Sequence, residues 1–341
     1  MLQLRNHTPF AAAIAVFPNP AGIECVYLTV KASFRLGPQG PELLPKPVPL
    51  LAADVYWGDP ATSGLRAAAD FTLTKPATDI MLLGHAVAAR PVRVLDVGLR
   101  VGPVARTLRV FGERRWEGAG DGARISAPEP FERLPLRWEL AFGGIAAADE
   151  GKPPESEPRN PVGRGLLAGP TLRNPDGRPL PNIEDPRALI ARPQDRPPPA
   201  GVAPVAPAWL PRRAYAGTYD AAWQATRAPY LPLDFDPRFL NVAAPELVAP
   251  AYLQGGEPVE LSGVTAEAPL RFKLPVCTLA TVFHFAGREI PQPAALDTVV
   301  LEPDLARLQL VWRACQPVDK HALRLSEVHV RCAEYGHGGE G

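Results

Sequence analysis

The chain has 341 residues, 43 of them proline, and its 36 Lys plus Arg balance 36 Asp plus Glu. Zero formal charge leaves no bulk field to draw in DNA, RNA or anionic lipid, and so much proline excludes a fold of long helices, since each internal proline costs about 3 kcal/mol. No run approaches the roughly 18 apolar residues of a membrane span and the first residues lack a basic-apolar-small export signal, so a soluble, cytoplasmic protein of about two domains is expected.

The clearest strand is VYLTVKASFRL, where Val26, Leu28, Val30, Ala32, Phe34 and Leu36 alternate with Tyr27, Thr29, Lys31, Ser33 and Arg35. Period 2 predicts one buried face and one wet face, and the glycines and prolines of GPQGP supply the turn that reverses the chain. Shorter strands are expected at 79–88, 92–101, 105–112 and 136–144, with a bulge near Asp96 where the alternation changes phase.

From 145 to 211 the pattern stops, and 16 of the 67 residues are proline. The stretch is too rich in turn dipeptides for a plain flexible linker and reads as a long, partly ordered arm on the surface. Strands resume at 258–264, 269–276, 280–285, 297–303, 306–314 and 326–332, and the tail GHGGEG reads as frayed. The expected fold is mainly β with little helix: two antiparallel β-sandwich or barrel-like portions, 1–145 and 216–341, joined by a Pro-rich irregular arm over 146–215.

Motifs that would carry chemistry are weak. GRGLLAG, from Gly163 to Gly169, lacks both the spacing and the strand-to-helix context of a phosphate loop, and no P-loop or nucleophile elbow is present. Cys315, His321, His329 and Cys332 do not have zinc-ligand spacing, so no metal and no cofactor is expected; four reduced thiols fit better than a disulfide framework. Glu184, Asp185, Asp220, Asp234 and Asp236 are the best enzymatic candidates, as paired carboxylates of a carbohydrate-active hydrolase. Asp in proline-rich turns, however, commonly bonds its own backbone, and Asn160, Asn174 and Asn182 fit turns in the same way. Trp116, Trp138 and Trp223 fit either an aromatic ligand platform or core packing.

Six motifs occur in series: GERRWEG (112–118), PLRWELAFGG (135–144), RNPVGRG (159–165), LPNIEDP (180–186), AGTYDAAWQATRAPYLPLDFDPRFLN (216–241) and LQGGEPVEL (253–261). Together they resemble an accessory protein family of the type VI secretion system, otherwise known as a domain of unknown function, over roughly residues 1–290. Glu113 stands where the pattern has Asp. The resemblance implies a non-enzymatic adaptor or chaperone that binds a toxic effector and helps load it onto the valine-glycine-repeat (VgrG) spike or its PAAR tip. It carries no catalytic residue. The motif positions expected to be structural or partner-binding are Arg114, Trp116, Arg137, Glu139, Asn160, Asn182, Glu184, Asp185, Tyr219, Asp220, Trp223, Arg227, Asp234, Asp236 and Asn241. In the long motif, Tyr219, Trp223 and Phe235 are expected to be buried at the junction of the β portions, with Asp220, Arg227, Asp234 and Asp236 tying irregular backbone. Besides the hydrolase, a structural subunit of a phage-like assembly is the alternative.

Overall fold

A computed structural model describes residues 2–336, so the end of the tail GHGGEG lies outside the described residues. The fold is mainly β. Its largest sheet runs, in spatial order, Ala11–Pro18, Glu24–Gly37, Arg307–Pro317, Ala295–Glu302 and Asp79–Leu82, with Gly40–Leu43 turning back on the long second strand. All these pairs are antiparallel except the last, where Ala295–Glu302 runs parallel to Asp79–Leu82. A second sheet has the order Ile183–Glu184, Val104–Phe111, Val94–Val101, Pro258–Ser262 and Leu270–Lys273; a third has Gln3–Asn6, Leu325–Gly336, Val276–Phe285 and Arg288–Pro293.

Each of these sheets mixes strands from both ends of the chain, so the expected boundaries at 145 and 215 do not divide two β domains. One hydrophobic cluster draws on both portions: Leu28, Phe34, Leu99, Leu261, Phe283 and Leu310 all belong to it. Among the described residues none of the sheets closes into a barrel. The bulge expected near Asp96 is absent, because Val94–Val101 pairs with Val104–Phe111 in unbroken register; Val94 simply faces outward. A register shift occurs instead between Leu296 and Thr298, where Asp297 is the extra residue. The strand expected at 136–144 is a 3-10 turn, Trp138–Leu140, followed by the two-residue strand Phe142–Gly143. Gly143 has φ +148°, and a Cβ there would lie 2.1 Å from the Asn160 carbonyl oxygen, so the chain comes too close for regular pairing.

The alternation in Glu24–Gly37 is right about the inward face and wrong about the other. Thr29, Lys31 and Ser33 are buried beneath an irregular roof formed by residues 44–70. Lys31 Nζ donates to Asp70 at 2.8 Å and to the Pro49 carbonyl at 3.3 Å, and Ser33 Oγ accepts from the Val48 amide. In register beside them, Arg313 donates to the Asp70 carbonyl and pairs with Asp297, which the bulge aims at this face. Lys75 pairs with Asp79 at 2.8 Å and donates to Thr298. Asp79 also accepts from Asn241 and from the Val242 amide, both at 2.9 Å. Burial opposes the charge on Lys75 and lowers its pKa.

The Pro-rich arm is not confined to the surface. Ala200, Val202, Ala203, Val205 and Trp209 are buried in the main core, while Trp116, Phe142, Leu167, Leu180 and Ile190 form a smaller cluster. Proline makes this burial easier, since it brings no N–H that needs an acceptor. Successive carbonyls in its middle are used: Val202 accepts from Leu82, Ala203 and Pro204 from the Trp138 indole, and Val205 from Arg212.

Asp79→Ala strands the Lys75 ammonium without its carboxylate, and a loss of about 3–5 kcal/mol is expected in urea denaturation. Glu42→Ala, which removes an exposed and solvent-screened pair with Arg35, is expected to leave the urea midpoint nearly unchanged. Similar effects from the two would contradict the role given to the buried layer.

Candidate partner-binding surface

Residues 217–235 form a projection that stands off the sheets. Asp220 starts the helix Ala221–Thr226 by accepting from the Trp223 amide at 2.8 Å, satisfying one of the free donors of a helix start. The Trp223 indole donates to the Tyr230 carbonyl at 2.9 Å, closing the far side. Arg227 donates to the Leu231 carbonyl and, at 2.7 Å, to the Pro20 carbonyl, anchoring the projection to the turn ahead of the long strand. At the base, Asp234 accepts from both the amide and the hydroxyl of Thr218, at 3.0 and 2.7 Å. Gly217 has φ +80°, and a Cβ there would lie 2.9 Å from Asp234 Oδ1. Asp236 caps the turn Pro237–Leu240 through the Arg238 amide and pairs with the Arg238 guanidinium at 2.5 Å.

These bonds leave apolar side chains outside. Tyr219 is 53% exposed, Tyr230 40% and Leu233 87%; Tyr219 lies edge-on to the half-buried Trp223 with ring centres 4.7 Å apart. Of the expected buried trio only Phe235 is buried, against Phe239. The physical reason is that a helix of six residues standing off the sheets has nothing to bury a second aromatic face against. Leu233 and Tyr230 were not among the sequence candidates. The signal for Leu233 was a leucine between Pro232 and Asp234 with no periodic partner.

A two-lobed apolar groove lies at the foot of the projection. Its lobes, of about 320 and 420 Å³, share Val205, Pro211 and Pro245. Tyr215, with the Arg238 guanidinium over its ring at 4.4 Å, lines the first, and Pro198 and Leu210 line the second.

The other motif positions are staples within the arm and the frame. Arg114 pairs with buried Glu184 and donates to the Pro181 carbonyl; Glu184 also accepts from the Ile190 amide at 2.7 Å. Asp185 lies 3.1 Å from Arg106 and 2.7 Å from Arg187. Asn160 donates to the Trp138 and Phe142 carbonyls, and Asn182 to the Phe111 carbonyl and to Glu113. Glu139 accepts from the Gly64 amide, Trp116 lies in the smaller cluster, Asn241 is bound to Asp79, and Arg137 stacks on Trp57.

The five candidate carboxylates are therefore dispersed among separate bonds. Hydrogen bonding from Arg187 holds Asp185 down at about 2, and bonds from Thr218 and Arg238 likewise lower Asp234 and Asp236. A general acid in glycoside hydrolysis needs a raised pKa, the opposite shift. No group of three or more metal-ligating side chains occurs among the described residues. Cys315 sits beside Tyr27 in the large sheet, where burial pushes its thiol up to about 12, whereas His329 bonds Glu327 on the third sheet. No helix among the described residues is long and apolar enough to cross a membrane.

Because Asp185 is held below its unfolded value near 3.9, the pair with Arg187 contributes stability above about pH 4 that is lost as pH falls through about 2. Urea midpoints measured across this window are expected to fall more steeply for the wild type than for Asp185→Asn. Equal slopes would show that the pair does not stabilise the fold.

The model of an uncharacterized protein family conserved in bacteria, DUF2169, matches residues 21–313. Neither a curated protein nor a solved structure matches the chain. With the match running from the first long strand to the last strand of the large sheet, the chain belongs to the DUF2169 family.

Proposed function

We propose that this protein is a non-enzymatic adaptor that binds a type VI secretion effector and helps load it onto the VgrG/PAAR spike. The resemblance of the ordered motifs supplies the secretion system. One structural observation carries the adaptor reading: Tyr219, Tyr230 and Leu233 are held outward on a projection whose backbone is fastened by its own side chains. Ordering a contact side chain on binding costs about 0.5–1.5 kcal/mol, and a projection fastened in advance avoids much of that cost. Aromatic anchors of this kind dominate interface energies, and the adjoining groove gives a partner somewhere to seat an apolar segment.

The test is recovery of the tagged protein from the bacterium of origin, with mass spectrometry and sizing of what accompanies it. A toxin-like protein or spike component at near-equal stoichiometry is expected. In the Tyr219→Ser/Leu233→Ser variant that partner is expected to bind at least about tenfold more weakly, a loss of about 1.4 kcal/mol, with the thermal midpoint unchanged because both residues are exposed. A chain recovered alone would sink the adaptor reading. A partner retained at unchanged affinity by the variant would take the projection out of the interface.

A further inference from the structure

A second concave region lies between the roof and the polar face of the large sheet. One cavity of about 240 Å³ is lined by Val48, Leu51, Lys31, Lys75 and Arg313, among others. It adjoins another of about 210 Å³ beside Trp57 and Arg137, and Arg66, Leu83 and Glu302 line both.

Charge here is matched except at the opening. Lys31 is paired with Asp70, Lys75 with Asp79, Arg307 with Glu302 and Arg313 with Asp297. Asp304, at the far edge, is held by His85 and Arg133. Arg66 and Arg137 differ: their one contact of this kind among the described residues is with the Trp57 indole, over which their guanidinium carbons lie at 5.1 and 3.6 Å from the ring centre. Stacking occupies the faces of a guanidinium and leaves its N–H edge without an acceptor. Both guanidiniums line the smaller cavity, so an anion held there is attracted by each of them.

We propose that Arg66, Arg137 and Trp57 form the mouth of a binding site for a small carboxylate-bearing ligand, either a free acid or the end of a peptide chain. The carboxylate accepts from both guanidinium edges, a pairing the planar fork matches well. The carbon skeleton lies along Leu83, Leu51 and Val48. Cavities for drug-sized ligands run from about 300 to 1,000 Å³, so a 240 Å³ chamber fits something smaller, on the scale of a dicarboxylic acid or one terminal residue. The site is separate from the projection and does not depend on the adaptor reading.

The Trp57 indole N–H resonance of the isotope-labelled full chain, assigned with Trp57→Phe, reports on the mouth. The probes are succinate, an acetylated tripeptide with a free carboxyl end, the same peptide amidated, and inorganic phosphate. A saturable shift with succinate or the free-acid peptide, and none with the amide, is expected; succinate alone identifies a free acid and the peptide alone a chain end. The Arg66→Gln/Arg137→Gln variant is expected to bind at least about tenfold more weakly. Arg66→Gln alone, at an exposed residue, carries the comparison if the double variant does not fold. No shift with either carboxylate up to about 10 mM, a shift with phosphate alone, or equal affinity in the variant would overturn the proposal.

Discussion

The structure depends on a sheet that is buried on both faces, with hydrocarbon on one and charge on the other. Phe34, Leu308, Leu310 and Val299 need only be kept from water. Lys31, Lys75 and Arg313 also need partners, because removing an ion from water costs several kcal/mol unless a counter-charge and hydrogen bonds replace the solvent. Two of those partners, and the amide that holds the third, come from other segments of the chain. Asp70 ends the roof, Asp297 sits at a bulge, and Asn241 follows the Pro-rich arm and holds Asp79 in place. Ion pairing thus decides where segments without regular secondary structure come to rest.

The same device recurs through the irregular half of the molecule. Asn160 and Asn182 spend their side-chain amides on carbonyls that no ladder reaches, and Arg114 with Glu184 fastens one arm segment to another. Asp220, Asp234 and Asp236 do for the projection what these do for the arm. Side chains that resemble a catalytic inventory in the sequence are mostly backbone partners in the fold. What remains for a function in recognition is the apolar tip they hold outward and the groove at its foot.

Alternation along a strand reports local conformation, so the paired strands Glu24–Gly37 and Arg307–Pro317 were both legible. It does not report which strands pair, and that is why two apparent domains are one interleaved core. Nor does it tell a wet polar face from one roofed over by ion pairs, since Lys31 looks alike in both settings. Proline content marked the arm as irregular but gave no sign that Ala200 and Val202 would be buried. At the candidate surface, the backbone-tying roles of Asp220, Arg227 and Asp234 were legible from turn chemistry. The exposure of Tyr219 was not, because it depends on what the rest of the chain fails to cover. Trp57 with its two arginines joins residues of the roof to a motif that points elsewhere in the sequence.

Interleaving also sets a clock on the ribosome. Lys75 and its partner Thr298 are separated by 223 positions, so at about 5–20 residues per second the early strands wait roughly 10 to 45 seconds for the segment that completes their sheet. During that interval the long strand Glu24–Gly37 has no strand Arg307–Pro317 beside it, and the backbone N–H and C=O groups along that edge stay unpaired. A protein proposed to shepherd another through export thus has an exposed stage of its own, before its final contacts exist.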